Sequence, residues 1–289
     1  MPKESFSPSI RNLWAEILTK DDKKEIAMTT VIAISDIHGQ MGVFPRLAIM
    51  RARYPGAITV FGGDYVDGLD GFAAVHRIWE MQRAEPDRTI VLKGNHDVEM
   101  LKYFTMPGED YWLDIGGHET LENAAQDLGI NWDDGDRQVV FDAHWEMVKW
   151  LWNRPLDYSI GKLQFVHAGF DLTLSKPVEE TSRYHKLWIR GEYLYAPHSD
   201  GVFAHNPLSK TIVTGHTPTG YFGGFYDHGT HPPKYSDPAH SPVYRVAYPG
   251  EQPRYFIDGG IGPDDVTRCG NVAAFDSDTG LLIDVLEDN

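Results

Sequence analysis

Short apolar runs recur along the chain, separated by longer stretches in which apolar residues fall every third or fourth position. Thr30–Ile34, Ile58–Phe61 and residues 89–92 have the length and β-branched content of buried strands. Between them, Val43, Leu47, Met50 and Tyr54 share one helical face, and Phe72, Val75, Ile78 and Trp79 share another, predicting helices over 43–54 and 71–83. Strand, helix, strand is a βαβ rhythm, which implies parallel neighbours and right-handed crossovers. Strand character returns at 163–166, 211–214, 255–257, 272–275 and 281–283, closer together and with fewer helices. That spacing predicts a second, partly antiparallel sheet and hence an α/β fold.

Three segments break the rhythm. Residues 9–20 place Ile10, Leu13, Trp14, Ile17 and Leu18 at helical spacing after Ser9, and a charged DDKKE linker follows, so 1–28 reads as an N-terminal helical arm. From about 98 to 160 the period is helical and rich in Trp (112, 132, 145, 150 and 152). This is read as a helical insertion over the rim of the sheets, with core-filling aromatics as the equal alternative. From about 223 to 253 Gly and Pro turn signals predict a long loop carrying His228, His231 and His240, better taken as solvated histidines than as ligands. No repeat appears, and 29–289 reads as one domain.

Composition narrows the partners. A net charge of −16 argues against nucleic acid, whose phosphates select basic surfaces. The same charge means that an enzyme acting on free phosphates needs local positive charge. Cys269 is the single cysteine, so neither an intrachain disulfide nor a thiolate metal site can form. No segment has the length of apolar sequence that spans a membrane, and a soluble, cytoplasmic protein is expected.

The candidate chemistry lies at the strand ends. Asp36 and His38 in SDIHG, Asp64 in GGDYVDG, Asn95 in KGNHD, His167 in FVHAG and His216 in TGHTP each follow an apolar run. Among 13 His and 42 acidic residues any one of these motifs is weak. Five in series are not, because a layered α/β fold gathers the carboxyl ends of its strands along one rim. Oxygen and imidazole ligands suit two divalent ions, Mn first, with Fe, Zn, Ni or Mg as alternatives.

This ordered set resembles the calcineurin-like metallophosphoesterases, and within them the phosphoprotein-phosphatase branch. It is similar to the bacterial and phage-type Ser/Thr phosphatases and to the symmetrical diadenosine tetraphosphate hydrolases. LWIRGEY and FIDGG…CGN extend the likeness, which covers residues 30 to about 275. The resemblance implies a four-layer α/β/β/α sandwich of two mixed sheets flanked by helices. It also implies that Asp36 and His38 bind the first metal, that Asp64 bridges both, and that Asn95, His167 and His216 complete the second. By the same resemblance His96 protonates the leaving group, Asp67 hydrogen-bonds His96, and Arg190 binds the substrate phosphate together with Asn95 and Lys93. Asp67 could instead cap the helix that follows it. The sequence departs from the family at the phosphate clamp. Gly68 stands where the family has Arg, and Lys93 replaces an Arg before GNH, so Lys102, Arg183 and Lys186 are considered as substitutes.

The expected activity is hydrolysis of phosphate monoesters, phospho-Ser/Thr among them, by attack of a metal-bridging hydroxide on a small-molecule phosphoester or a phosphoprotein. Hydrolysis of a dinucleoside polyphosphate is the alternative, with the Trp-rich insertion or Tyr221 and Phe222 as an aromatic shelf. A non-catalytic metal-binding protein that recognises phosphorylated partners is the third reading.

Overall fold

The computed structural model describes residues 29–68, 70–132, 136–199, 201–222, 224–226, 234–262 and 268–288. The helix predicted over 9–20, His228 and His231 lie outside them. Two mixed five-stranded sheets stack face to face. In the first, β1 (Thr30–Ile34), β2 (Ile58–Phe61) and β3 (Thr89–Val91) run parallel, and β11 (Val272–Asp276) and β12 (Leu282–Leu286) continue the sheet antiparallel beyond β1, in the order β12-β11-β1-β2-β3. In the second, β5 (Leu163–Val166), β6 (Thr211–Thr214) and β10 (Arg254–Phe256) are parallel, and β4 (Asp157–Ile160) and β9 (Tyr244–Val246) flank them antiparallel.

Alternation along the strands assigns the layers, because successive side chains leave opposite faces of a sheet. Val31 and Ala33 of β1 meet Phe165, Val213, Tyr255 and Phe275 in the core between the sheets. Ile32 and Ile34 point the other way, toward α1 (Val43–Arg53) and α2 (Gly71–Ala84), where Val43, Leu47, Met50, Val75 and Ile78 are buried. On the far side of the second sheet, Phe170, Ile189, Tyr193 and Leu194 cover Ile212 and Phe256. These belong to a layer of short helices that includes α6 (Pro177–Glu180), α7 (Arg183–Trp188) and α8 (Gly191–Leu194). The architecture is the expected sandwich of two mixed sheets flanked by helices.

Two stretches differ from the sequence reading. The helical segment comprises α3 (Asn95–Thr105), a π-helical turn (Leu113–Gly117), α4 (His118–Asp127) and α5 (Arg137–Trp152), but it ends before β4, which pairs as a hairpin with β5. Ser159 is exposed while Tyr158 and Ile160 are half-buried, so β4 is a weakly apolar edge strand that leaves no clear period-2 signal. The stretch from 223 to 253 carries β7 (Gly224–Tyr226), β8 (Lys234–Ser236) and β9, each three residues long. Strands this short have no periodicity to read.

One buried cation ties the outer layer to the second sheet. Arg254 on β10 is 1% exposed and donates to the carbonyls of Tyr193 (2.6 Å), Ala204 (2.6 Å) and Leu194 (3.2 Å). Replacing it with methionine leaves the Tyr193 and Ala204 carbonyls without donors, while Leu194 keeps the Ala204 amide (2.9 Å), and Arg254→Met is expected to destabilise the protein by about 3–5 kcal/mol. Urea unfolding measures this, and an unchanged midpoint would show that the carbonyls find other donors.

Candidate metal centre

Six parallel strands end on one rim, and each delivers a polar side chain there. Asp36 lies just past β1, Asp64 past β2, Asn95 past β3, His167 directly after β5, His216 past β6 and Asp258 past β10. Except for Asp258, these are residues singled out from sequence. All six are buried, with exposures of 3% or less.

The turns that carry them are held in unusual backbone. Six described non-glycine residues have positive φ, and five of them are Asp36 (54°), His38 (42°), Asp64 (56°), Asp67 (83°) and His216 (67°). Each such residue costs on the order of 1 kcal/mol and persists only where its surroundings over-determine it. Here they do. The amides of Ile37 and His38 both donate to the Asp64 carbonyl (2.8 and 3.1 Å), and the Asp36 amide donates to Gly63 (3.0 Å). The His216 amide donates to both carboxylate oxygens of Asp36 (2.9 and 3.0 Å).

Asp97, fully buried, accepts from the amides of Asp64 (2.9 Å), Tyr65 (3.0 Å) and Gly94 (2.8 Å). It locks the second turn onto the start of α3. Burial first and then the neighbouring Asp64 push its pKa up to about 6. Its importance was missed in the sequence, although an acid at the third position of a helix is a capping-box signal.

The ring nitrogens are sorted in the same way at all three candidate imidazole ligands. His167 Nδ1 lies 3.0 Å from the Gly62 carbonyl, leaving Nε2 beside Asn95 Oδ1 (2.9 Å) and Asp64 Oδ2 (3.2 Å). His38 Nδ1 lies 3.2 Å from Asp67 Oδ2, and its Nε2 faces Asp64 Oδ2 at 4.0 Å. The His216 ring bonds the Trp188 carbonyl, while its buried Nε2 has no partner among the described residues. Anchoring one nitrogen and freeing the other is how metal-binding histidines are held. Potential ligand atoms of Asp36, His38 and Asp64, and of Asp64, His167 and His216, each lie within 4.8 Å of one another. Asp64 belongs to both groups.

The charges ask for cations. Burial is the largest influence on Asp36 and raises its pKa. Burial alone would raise Asp64 too, but the charges of His167 and then His96 overcome it and hold that carboxyl low. Asp258 lines the same cavity of about 330 Å³ as Asp36 and Asp64, and burial followed by the Asp36 charge lifts its pKa to about 8. Three buried acids with an orphaned imidazole nitrogen fit a hard or borderline divalent pair. Asp258 also escaped the sequence reading, although an acid two residues past an apolar run was the available signal.

Space at the centre is set by Gly94, where any Cβ would collide with the Asp64 carboxylate and amide. Gly94→Ala is therefore expected to weaken divalent-metal binding about 10–100-fold, as measured by calorimetric titration with Mn. Equal affinity in the variant would show that the turn relaxes without cost.

Beside the candidate ligands, Asp67 joins two histidines. One of its carboxylate oxygens contacts Nδ1 of both His38 and His96, and the other accepts from the Trp112 indole at 2.7 Å. Trp112 is fully buried, so one tryptophan of the helical segment is core and also a support for the site. The amide of His96 donates to Asp64 (2.9 Å), and its ring is 20% exposed on the cavity wall, 4.8 Å from the His38 ring.

The phosphate-clamp candidates separate. Arg190 lines the cavity, with Nη1 on the His216 carbonyl (2.7 Å) and the Thr217 hydroxyl (3.2 Å). Lys93 turns away and donates to the Trp152 carbonyl (2.7 Å), lining a neighbouring cavity instead. Lys186 is engaged with Asp157 (2.7 Å). Gly68 has φ 64°, a conformation in which an arginine would be strained, and its carbonyl accepts from Thr120 of α4. Tyr221 is 71% exposed at the cavity edge, whereas Phe222 packs among Phe203, Tyr244 and Phe256.

The family model described as Calcineurin-like phosphoesterase matches residues 29–235. The chain belongs to the calcineurin-like phosphoesterase family. It is thus a metal-dependent hydrolase, and its fold is shared widely. A protein serine/threonine phosphatase from Saccharomyces cerevisiae, with similarity to human phosphatase PP5, superposes with a TM-score of 0.55 at 14% identity, over 92% of this chain and 82% of its own. A cold-active protein-tyrosine phosphatase from a psychrophilic Shewanella gives 0.53 at 14% identity, over 87% of this chain and 76% of its own. At such identities the likeness concerns the fold alone. Among the described residues of this phosphoesterase no helix is long and apolar enough to cross a membrane.

Proposed function

We propose that this phosphoesterase hydrolyses phosphate monoesters, with Asp36, His38, Asp64, Asn95, His167 and His216 holding two divalent ions and His96 serving as general acid. The observation that carries the reading is His96, held by the buried Asp67, on the wall of the cavity that Asp36, Asp64 and His216 also line. Bound divalent ions would polarise a phosphoryl oxygen and make water acidic near neutral pH.

The remaining work belongs to the side chains. Asp67 holds Nδ1 of His96, which leaves Nε2 to carry the proton toward the departing oxygen. Burial alone would lower the His96 pKa, but the charge of Asp64 and the hydrogen bond to Asp67 raise it, favouring the protonated form that an acid needs. Arg190, with one nitrogen fixed on the His216 carbonyl, supplies a positive charge at the cavity mouth for the phosphate. Asp64 braces the acid through the His96 amide, so the same carboxylate serves both the metals and the helix that presents His96.

A binding protein would need the ligand set but not a carboxylate-oriented histidine beside it, and the pair therefore favours catalysis over recognition. The dinucleoside polyphosphate reading keeps one observation in its favour, the exposed Tyr221 ring at the cavity edge. Turnover of p-nitrophenyl phosphate, a phosphoserine peptide and diadenosine tetraphosphate with Mn separates the readings. Activity on the first two and not the third is expected, and inactivity on all three would overturn the assignment.

Metal occupancy can be followed without turnover. Because the ligands are assembled only in the folded chain, adding Mn is expected to stabilise the protein by about 3–4 kcal/mol at 100–1,000 times Kd. A thermal midpoint that does not move on Mn addition or chelation would count against the site.

A further inference from the structure

A second cavity is larger than the one over the candidate ligands. It has a volume of about 600 Å³, lies next to the metal centre and carries four cationic side chains, Lys93, Lys102, Arg154 and Arg183. Among the described residues on its wall, Glu99 is the one acid. In a chain of net charge −16, a concave surface with this local excess of positive charge calls for an anion.

Three of the cations already have partners. Lys102 pairs with Glu99 (2.7 Å), Lys93 donates to the Trp152 carbonyl, and Arg154 donates to the Trp150 carbonyl (3.0 Å) and to Gln82 (2.7 Å). Arg183 is exposed and has no hydrogen bond or ion pair among the described residues. It offers a full guanidinium fork to a ligand.

The walls are also aromatic where soluble surfaces seldom are. Tyr184 is 66% exposed and Trp152 45% exposed, and Tyr184 stacks against Trp188 at 6.3 Å and 21°. Trp188 links the cavity to the candidate ligands. It lines this cavity, and its ring lies edge-on to His216 with centroids 6.1 Å apart. From the other side, α3 starts at Asn95 and lines the cavity with Val98, Glu99 and Lys102. Those positions are one to two helical turns from Asn95, roughly 5–10 Å along the axis. The cavity therefore lies within the length of one small molecule of the candidate ligands.

We propose that this cavity is a substrate subsite that takes a second anionic group and a planar ring, as found together in a nucleoside phosphate whose reacting phosphate sits at the metal centre. The proposal rests on the phosphoesterase reading above only for where the reacting group lies, and the binding it predicts needs no turnover. Arg183 and Lys102 meet the anion, while Trp152 and Tyr184 offer π faces to the base.

Calorimetric titration of the full-length protein with adenosine 5′-(α,β-methylene)diphosphate, whose P–C–P bridge resists hydrolysis, tests this directly. Saturable binding is expected, weakened about tenfold or more by Arg183→Glu and by Lys102→Glu. Trp152→Ala is expected to cost about tenfold. Methylenediphosphonate, which has the anion without the base, is expected to bind more weakly and to ignore Trp152→Ala. All three residues are partly exposed, so folding is not at stake. An affinity for the nucleotide analogue that survives Arg183→Glu would overturn the site. Equal, Arg183-dependent binding of an acidic phosphopeptide would overturn the nucleotide assignment. Because binding is read directly, an enzyme that fails to turn over any phosphoester could still pass.

Discussion

Replacing Asp64 with asparagine is expected to remove one or both metals and to lower kcat on a phosphate monoester by about 10³–10⁴, the equivalent of several kcal/mol of lost electrostatic stabilisation. No other residue enters so many of the site's contacts. Its carboxylate belongs to both groups of potential ligands, lies 3.2 Å from His167 Nε2 and accepts the His96 amide. Its carbonyl receives two amides of the first turn, and its own amide is held by Asp97. Only the side-chain charge is deleted in Asp64→Asn, so the backbone contacts stay and the fold is retained. Metal analysis of the purified variant, alongside its circular dichroism, checks the result. A variant with full metal content and full activity would mean that Asp64 does not join the two halves of the site.

His96→Ala is expected to lower kcat by about 10²–10⁴ on an alkyl phosphate while leaving metal content unchanged. The loss should be much smaller on p-nitrophenyl phosphate, because a nitrophenolate departs without needing a proton. That contrast separates an acid from a residue that merely positions the phosphate, which would cost both substrates alike. The neighbour should behave differently. Asp67→Asn is expected to lower kcat and also to weaken metal binding, since Asp67 contacts His38 as well as His96. Trp112→Phe removes only the indole donor to Asp67 and should reproduce a milder form of the same pattern. Identical losses of His96→Ala on both substrates would sink the general-acid role.

Much of this was legible because its signals are local. An apolar run of four or five residues followed at once by Asp-x-His, Gly-Asp or Gly-Asn needs no distant partner to be recognised, and β1, β2, β5, β6 and β11 appear where the runs stand. The helices between them were equally plain, since Val43, Leu47 and Met50 repeat along a single face that the sheet then buries. Short edge elements were not legible. β4, β7, β8 and β9 have three or four residues each, too few for a period to show.

The sequence by itself determined which side chains stand at the ends of the strands, because the period of a strand and the polar residue that stops it are adjacent in the chain. Only the tertiary structure decided what supports them and what surrounds them. Trp112 reaches Asp67 across 45 positions, and the His216 amide reaches Asp36 across 180. Lys93 stands two residues past β3, yet its ammonium turns to the carbonyl of Trp152, 59 positions away, and so faces the second cavity. Those choices follow from burial. A charged or hydrogen-bonding group inside a packed core must find a partner wherever the fold places one, and nothing in its sequence neighbourhood says where that is.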